Sequence, residues 1–546
     1  MSYPLLFSSF LTFWLFIGNM QMKDNIDLIV TNGVIYTVDA ANSRVEAMAI
    51  HHGKILATGT NKSILERYTG LSVVDLKGKF IYPGFIDAHC HFVGYALGLQ
   101  YVDLLGCKSF DEVLQRLKNA GTQFPGKWLV GRGWDQNIWQ EKNFPDNSRL
   151  NTLYPDVPVM LIRVDGHVVL ANQEALKRAG IGINNQFGNA QVEIKNGRLT
   201  GILSETAADL MREAVPAPQG TEFTNLLKRA EQQCFGVGLT TVSDAGLEYY
   251  QVMAIDSLQK SGILKMQVYA MLTPNAKNLN EFVKQGTYKT DRLVVRSIKI
   301  YVDGSLGSRT AKLKVPYADA PSGSGIVVTP PDSIRQLCKI ALEHGYQVNT
   351  HCIGDSANHL ILQIYAEFLK SRNDLRWRVE HAQVVDPADI HLFGDYSVIP
   401  SVQATHATSD MKWAENRLGP VRIKGAYAYK SLMKQNGWIP NGTDFPIENI
   451  SPLFTFYAAV ARQDLDGFPT DGFLMENALT REEALRSITI WAAKSDFLEQ
   501  AKGSLEAGKD ADFVVLDQDI MQVPVRRVPG VKVLDTFIAG EGVLQK

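Results

Sequence analysis

The chain has 546 residues, well above the roughly 100 to 200 of a usual single domain, so we expect several domains or one large barrel with additions. Lys and Arg number 55 and Asp and Glu number 57, which excludes the basic excess of nucleic-acid-binding proteins, so no nucleic-acid partner is expected. With 45% hydrophobic and 21% charged residues, the composition excludes an intrinsically disordered chain.

The N-terminal segment 1–22 has no charged side chain and contains an apolar run from Leu5 to Ile17. This run is shorter than the roughly 20 residues of a membrane span and has the character of a signal-peptide apolar region. We therefore predict export to the periplasm or the extracellular space. The run lacks a preceding Lys or Arg and a clear cleavage site, which leaves three alternatives: an uncleaved N-terminal anchor, a mis-assigned start, or a packed segment of a cytoplasmic protein. No other membrane span is expected.

Short β segments occupy both ends of the remaining chain, and turn residues such as Asn32-Gly33 and His52-Gly53 separate the first of them. These segments are residues 26–30, 33–37, 47–50 and 54–57 near the start, and 511–516, 531–534 and 536–540 near the end. Neither group is large enough to bury a core alone. We therefore expect residues 23–82 and 500–546 to pair into one composite β-sandwich.

The central part of the chain alternates apolar strand-like runs with longer helix-like stretches, as in sheets of parallel strands. The runs that end in polar or ionisable residues are 84–89, 239–244, 266–270, 297–303, 347–351, 377–381, 398–403 and 438–444. These βα units predict a (β/α)8 TIM barrel over residues 83–100 and 225–499, with its active site at the carboxyl ends of the strands. The predicted fold class is thus α/β, a TIM barrel with a small β-sandwich domain and an insertion.

About 150 residues separate the first predicted barrel strand from the second, several times the length of a normal βα connection. We expect residues 101–224 to form an inserted lid or substrate-binding subdomain, with a stabilising decoration as the alternative. The aromatic residues Trp128, Trp134, Trp139 and Tyr154 could line a pocket there. Aromatic side chains usually pack, so a place in the core of the insertion is the favoured interpretation.

Histidines and one carboxylate stand at the ends of several predicted barrel strands. His89 and His91 end the first strand, and strand alternation directs both side chains to one face, where they can bind the same metal ion. An isolated pair would be weak evidence, but His351, His381 and Asp444 end the fifth, sixth and eighth strands. These five residues predict a divalent-metal site, which we expect to hold zinc. Asp444 is expected to be both a ligand and the general base that activates water.

These motifs resemble those of the amidohydrolase superfamily. The matching segments are Phe85–His91, Thr350-His351, Glu380-His381 and Thr443-Asp444. Three further segments, Lys299–Thr310, His351–Asp355 and Asp165–His167, are similar to the YtcJ-like (amidohydrolase 3) branch, which includes N-substituted formamide deformylases. The resemblance covers nearly the whole chain after segment 1–22 and implies a metal-dependent hydrolase, but it does not fix the substrate.

The resemblance also implies a role for Lys299, which falls at the fourth-strand position where many superfamily members carry a carbamylated lysine that bridges two metals. A protonated amine has no lone pair, whereas a carbamate offers two anionic oxygens. We therefore expect one or two divalent ions, with Lys299 carbamylated where there are two. The alternative is an ordinary lysine that pairs with a carboxylate, such as Asp303, beside a single ion.

Four further polar residues are predicted to face the barrel mouth and bind substrate, with structural or surface roles as the alternative: His167, Asp303, Arg309 and His406. The expected reaction is hydrolysis of a non-peptide carbon–nitrogen bond in a small amide, N-formyl compound or cyclic amide. The alternatives are ester or lactone hydrolysis, deamination at the same site, and a non-catalytic metal-containing regulatory protein. Assembly into a homo-oligomer stays open.

Overall fold

The computed structural model describes residues 23–120, 128–183 and 192–544. The predicted signal peptide, residues 1–22, lies outside the described residues, so its export role stays a prediction. In the part of the chain that is described, no helix has both the length and the apolarity needed to cross a membrane.

Strands occur along the whole described chain. In order they are β1 (Asp24–Thr31), β2 (Val34–Tyr36), β3 (Arg44–Val45), β4 (Ala47–His51), β5 (Lys54–Gly59), β6 (Tyr68–Asp75), β7 (Phe80–Pro83), β8 (Phe85–Cys90), β9 (Val102–Asp103), β10 (Leu129–Trp134), β11 (Val159–Arg163), β12 (Val168–Ala171), β13 (Val192–Lys195), β14 (Arg198–Ser204), β15 (Leu239–Leu247), β16 (Gln267–Leu272), β17 (Tyr288–Lys289), β18 (Leu293–Tyr301), β19 (Gln347–Cys352), β20 (Arg378–His381), β21 (Ile399–Ser401), β22 (Phe513–Leu516), β23 (Val533–Ile538) and β24 (Glu541–Gly542).

Helices are concentrated between β8 and β22. In order they are α1 (Asn61–Arg67), α2 (Phe92–Gly98), α3 (Phe110–Ala120), α4 (Ser148–Leu153), α5 (Gln173–Arg178), α6 (Glu205–Glu213), α7 (Gly220–Gly236), α8 (Tyr249–Lys260), α9 (Ala276–Glu281), α10 (Pro331–Glu343), α11 (Asp355–Leu369), α12 (His391–Asp395), α13 (Ala404–Asp410), α14 (Ala414–Arg422), α15 (Tyr429–Asn436), α16 (Pro452–Ala461), α17 (Arg481–Ser487) and α18 (Ile490–Ser495).

A nearly closed barrel of parallel strands forms the centre of the fold, in the order β8-β15-β16-β18-β19-β20-β21. The strands are buried along most of their length, and side chains of α7, α10 and α11 pack with them in one large apolar core. This arrangement confirms the α/β class and the barrel that the alternating pattern predicted.

The prediction of a regular eighth strand over residues 438–444 is wrong. In this closing segment, Asn441 makes an isolated parallel bridge to Val402, the residue directly after β21, and the Asp444 N–H donates to the His89 carbonyl at 2.8 Å. The backbone of the segment therefore spans the gap between β21 and β8. Pro440 has no N–H to donate. Gly442 lies so close to β8 that a Cβ there would be 2.5 Å from the His89 nitrogen. The barrel therefore closes through an irregular segment.

Strands from both ends of the chain share one sheet, of order β24-β23-β22-β7-β2-β3. Within it, β22 pairs antiparallel with β7, which directly precedes the first barrel strand β8. A second sheet, of order β5-β4-β1-β6, comes from the N-terminal part alone. Apolar side chains of both sheets pack in one cluster that includes Val30, Ile50, Ile81, Phe513 and Val515. The C-terminal strands are thus joined to the strand that leads into the barrel.

The chain between β8 and β15 contains a sheet of its own, of order β13-β14-β12-β11-β10-β9. Apolar clusters lie on its two sides, with Trp134 and Trp139 in one and Trp128 in the other, while Tyr154 packs against the first. These aromatic residues therefore form the core of the insertion, as the favoured interpretation predicted.

Candidate active site

The five predicted ligand residues lie together at one end of the barrel. His89 lies in β8, His91 follows it, His351 lies in β19, His381 ends β20 and Asp444 lies on the closing segment. Asp444 Oδ1 is 3.2 Å from His91 Nε2 and 3.5 Å from His89 Nε2. The ring of His381 is 4.9 Å from that of His89 and 4.6 Å from that of His351, measured between centroids.

An oxygen acceptor orients each of three imidazole rings. His89 Nδ1 lies 2.5 Å from Glu380 Oε2, His91 Nδ1 lies 2.9 Å from the Ala245 carbonyl, and His381 Nδ1 lies 2.7 Å from Gln403 Oε1. A ring that donates from Nδ1 keeps its lone pair on Nε2, so these contacts assign the nitrogen that is free to bind a metal. His351 is turned the other way, because its Nε2 lies 3.2 Å from the Gly304 carbonyl.

The ionisation of these side chains suits metal binding. Burial lowers the pKa of His89 to about 4 and holds the pKa of His351 and His381 well below the usual value. Burial opposes ionisation of Asp444, but the adjacent His91 side chain and the other neighbouring imidazoles outweigh it and hold the Asp444 pKa well below its usual range. Neutral imidazoles and an ionised carboxylate are the forms that bind a divalent cation.

Two groups of three potential ligands share Asp444. His89 and His91 form one with it, and His381 and His406 form the other, with the ligand atoms of each group within 4.8 Å of one another. Asp444 Oδ1 and His406 Nε2 are buried and, in the described part of the chain, have no hydrogen-bond partner. Buried polar atoms rarely lack partners. The donor set and its unsatisfied atoms therefore fit a divalent cation.

Lys299 is buried beside these ligands, with Nζ 3.2 Å from His89 Nε2. Burial lowers its pKa to about 8, and within the described ranges no acidic side chain forms an ion pair with it. The alternative pairing with Asp303 is wrong, because the Asp303 carboxylate instead accepts hydrogen bonds from the backbone N–H groups of Lys312, Ile353 and Gly354.

The structure brings three of the four predicted substrate-binding residues close to the ligand cluster. His406 Nε2 is 3.5 Å from Asp444 Oδ2, and the His167 ring is 5.2 Å from that of His351. His167 comes from the insertion, where Glu205 Oε2 lies 2.9 Å from its Nδ1. Arg309 forms a 3.0 Å ion pair with Asp319, and none of its contacts among the described residues is with the ligand cluster.

Asp303, the fourth of these residues, has its Oδ1 3.8 Å from His351 Nε2, but three backbone N–H groups occupy its carboxylate. It therefore supports the loop after β19. Its role in binding substrate stays a prediction, as does that of Arg309.

Sequence reasoning missed the residues that hold the ligands in place. Glu380 bonds to His89 and forms a 2.6 Å ion pair with Arg378, and both are fully buried. Asp87 accepts hydrogen bonds from the backbone and hydroxyl of Thr443, which fixes the closing segment against β8. One available signal was the alternation in β20, since two charged residues on one face of a buried strand require partners.

Residues 72–544 match the profile described as "Amidohydrolase family". The chain belongs to this family. It is 31% identical to Protein LONG AFTER FAR-RED 3 of Arabidopsis thaliana, over 94% of this chain and 91% of that protein. The identity to the putative amidohydrolase YtcJ of Bacillus subtilis is also 31%, over 94% and 98% of the two chains. The N-substituted formamide deformylase of Arthrobacter pascens is 25% identical over 95% and 98%.

Among solved structures, this amidohydrolase is similar to an uncharacterized metal-dependent hydrolase from Pyrococcus horikoshii, with a TM-score of 0.75 and 31% identity over 91% of this chain and 99% of that one. With the family match, this likeness confirms the resemblance read from the motifs. The amidohydrolase is a hydrolase that acts on carbon–nitrogen bonds other than peptide bonds, and its family implies a small-molecule substrate.

Proposed function

We propose that this amidohydrolase uses zinc and a metal-activated water to cleave the carbon–nitrogen bond of a small amide, N-formyl compound or cyclic amide. The observation that carries the proposal is a buried Asp444 whose Oδ1 has no hydrogen-bond partner among the described residues and on which four histidines converge: His89, His91, His381 and His406. The similarity to a protein named N-substituted formamide deformylase favours N-formyl compounds within this class.

The side chains supply the proton transfers of the reaction. When bound, a divalent cation supplies Lewis acidity, which lowers the pKa of water and polarises a carbonyl oxygen. His89, His91, His351, His381 and Asp444 would hold it. Asp444 is ionised at rest, so it can accept a proton as the water oxygen adds to the carbonyl carbon. It then returns the proton to the nitrogen as the carbon–nitrogen bond breaks, which yields a carboxylic acid and an amine.

We further propose that Lys299 is carbamylated and joins two ions. Its burial without an ion pair in the described structure supports this, because an isolated buried ammonium is costly. A neutral lysine amine that adds carbon dioxide and loses a proton becomes an anion with two oxygen ligands.

We make three further proposals, about the insertion, the two terminal regions and the N-terminal segment. Residues 101–224 act as a lid or substrate-binding subdomain, which is supported by the approach of His167 to His351. Residues 23–82 and 500–546 form a composite β-sandwich beside the barrel of 83–100 and 225–499, which is supported by the sheet that both ends share. Residues 1–22 direct export, on the sequence pattern alone.

Replacement of the general base tests the proposed reaction. The Asp444→Asn variant is expected to lose at least about 100-fold in kcat on a panel of N-formyl and N-acyl amines assayed with Zn²⁺, Mn²⁺ and Co²⁺, while it retains metal. Asp332→Asn, which changes an exposed carboxylate on α10, is the matched control and should leave the rate unchanged. Hydrolysis by Asp444→Asn at the wild-type rate would show that Asp444 is not the base.

Metal analysis and intact-mass measurement of the wild-type protein test whether Lys299 is carbamylated and joins two ions. Two ions per chain and the added mass of one carbon dioxide are expected. One ion per chain without that mass would contradict the bridge.

A further inference from the structure

The insertion presents an arginine without a counter-ion at the barrel mouth. Arg132, on β10, makes one long contact of 3.5 Å from Nη2 to the Val164 carbonyl, and no acidic side chain of the described chain pairs with it. Its Nη atoms lie 3.8 Å from the point that a Cβ on Gly166 would occupy, and Ile447 lies 3.4 Å from the same point. Arg132 therefore lies between the turn that carries His167 and the loop that follows Asp444.

A second guanidinium stands close by. Arg212, on α6, donates a hydrogen bond to the Gly166 carbonyl and pairs with Asp209. Burial, and then the charge of Arg212, lower the pKa of Arg132 to about 10, against the opposing attraction of Asp444 and Asp165. Even so, Arg132 keeps solvent-accessible surface, so it is not sealed in a core.

A neighbouring arginine, Arg163, shows how a guanidinium with a structural role is charge-compensated in this protein. Arg163, on the adjacent strand β11, is fully buried, and two carboxylates, of Asp135 and Asp165, each lie 2.5 Å from it. A buried cation requires such compensation, because loss of hydration is costly. In the described chain two carboxylates pair directly with Arg163, whereas none lies within ion-pair distance of Arg132, which indicates that the direct partner of Arg132 comes from outside the chain.

We infer that Arg132, with Arg212 beside it, forms a subsite for an anionic group of the substrate, so that the substrate is an amide or N-formyl compound that bears a carboxylate. This inference rests on the proposed function and narrows its substrate class. Guanidinium groups bind carboxylates through two parallel hydrogen bonds. Because Asp209 already pairs with Arg212, about one positive charge remains uncompensated, which matches a carboxylate better than a doubly charged phosphate.

Two substrates that differ only in a carboxylate test the inference. We would compare kcat/KM for N-formylphenylalanine and N-formylphenethylamine in the wild type, in Arg132→Met and in the control Arg178→Met. Arg178 is a matched control because it lies exposed on α5 and pairs with Glu174. The wild type and the control should favour the carboxylated compound by about 10- to 100-fold, and Arg132→Met should lose this preference with little change on the neutral one.

The outcomes separate this inference from the proposed function. Hydrolysis of both formamides with no preference, or with a preference that Arg132→Met retains, overturns the anion subsite and leaves the proposed function standing. If neither formamide is hydrolysed, the proposed function fails on these substrates. The anion subsite is then tested by whether phenylacetate raises the melting temperature of the protein more than phenylethanol does. Stabilisation of the wild type by phenylacetate that is lost in Arg132→Met supports the subsite. Equal stabilisation of the wild type and Arg132→Met overturns it.

A charge-conserving variant keeps the test decisive if Arg132→Met does not fold. Arg132→Lys retains the charge but not the two-pronged geometry, so the carboxylate preference should fall several-fold. An unchanged preference in Arg132→Lys would overturn the bidentate contact.

Discussion

Glu380 determines how His89 is presented to the metal site. Its Oε2 lies 2.5 Å from His89 Nδ1, and its Oε1 accepts from Arg378, which also binds Asp496 at 3.0 Å. Burial opposes ionisation of Glu380, but the charge of Arg378 outweighs it and holds the Glu380 pKa well below its usual value. The ionised carboxylate keeps the proton of His89 on Nδ1, which leaves Nε2 to bind metal.

Replacement of Glu380 should therefore weaken metal binding. The Glu380→Gln variant can still accept a hydrogen bond but carries no charge, so we expect metal affinity to fall by about 10- to 100-fold in competition with a chelator. Glu367→Gln is the matched control, because Glu367 lies in an exposed ion pair with Arg335 on the outside of the barrel. Equal metal affinity of Glu380→Gln and the wild type would show that Glu380 does not tune His89.

The pair of His167 and Glu205 should make stability depend on pH. Burial opposes protonation of His167, but Glu205 outweighs it and raises the pKa of His167 to about 9. A raised folded-state pKa means that the stabilisation is complete below the ordinary value of 6.5 and is lost as the pH rises through about 9.

The variant Glu205→Gln should thus unfold more easily than the wild type near neutral pH. We expect the difference in unfolding free energy between the wild type and Glu205→Gln to shrink by about 3 kcal/mol from about pH 6 to about pH 10. Denaturant titration at each pH measures this difference. Glu174→Gln, in an exposed pair with Arg178, should show no such trend in this range. A difference that does not vary with pH would exclude a protonated His167 in the folded protein.

At the scale of elements, the closing segment depends on Gly442. A Cβ at this position would lie 2.5 Å from the His89 nitrogen and 2.6 Å from Asp87 Oδ1, so no side chain fits between the segment and β8. We expect Gly442→Ala to lower the unfolding free energy by about 1 to 3 kcal/mol and to reduce bound metal, because it displaces the backbone of His89. Chemical denaturation and metal analysis measure the two effects.

The control for this substitution is Gly236→Ala at the end of α7, where a Cβ meets no atom within 4 Å. It should change stability and metal content little. Equal behaviour of the two variants would show that close packing at Gly442 is not what places β8.

The sequence predicted the secondary structure correctly where a single local pattern determines it. Each barrel strand was found because an apolar run ends in a polar residue, and the same rule located His89, His351 and His381. It failed at residues 438–444, where Pro440 and Gly442 make the backbone irregular although Asp444 still reaches the site.

Contacts between distant parts of the chain could not be predicted in this way. Glu380 meets His89 across 291 residues of sequence, and it does so only because the barrel closes. The position of Arg132 near Ile447 depends likewise on how the insertion packs against the loop that follows Asp444. The alternation of apolar and polar residues predicts which residues end a strand. Which distant side chains these residues contact depends on the order of the strands in the barrel and on the packing of the insertion.

At the scale of the whole molecule, the two ends of the chain support the strand that leads into the metal site. β22 pairs with β7 along its full length, and the Gly84 N–H between β7 and β8 donates to the Asp512 carbonyl at 2.9 Å. Phe513 is buried and stacks on Phe537 with ring centroids 4.3 Å apart. Stability of the terminal sheets and of the barrel should therefore be coupled.

Removal of the Phe513 ring tests this coupling. The Phe513→Ala variant should lose about 3 to 5 kcal/mol of unfolding free energy, because it leaves a cavity where both ends of the chain pack together. Calorimetry should show one transition at a lower temperature, with loss of bound metal in the same step. Leu534→Ala, whose side chain is 37% exposed on β23, is the control and should cost well under half as much. Two separate transitions, with metal released only in an unshifted second one, would show that the barrel is stable without its terminal strands.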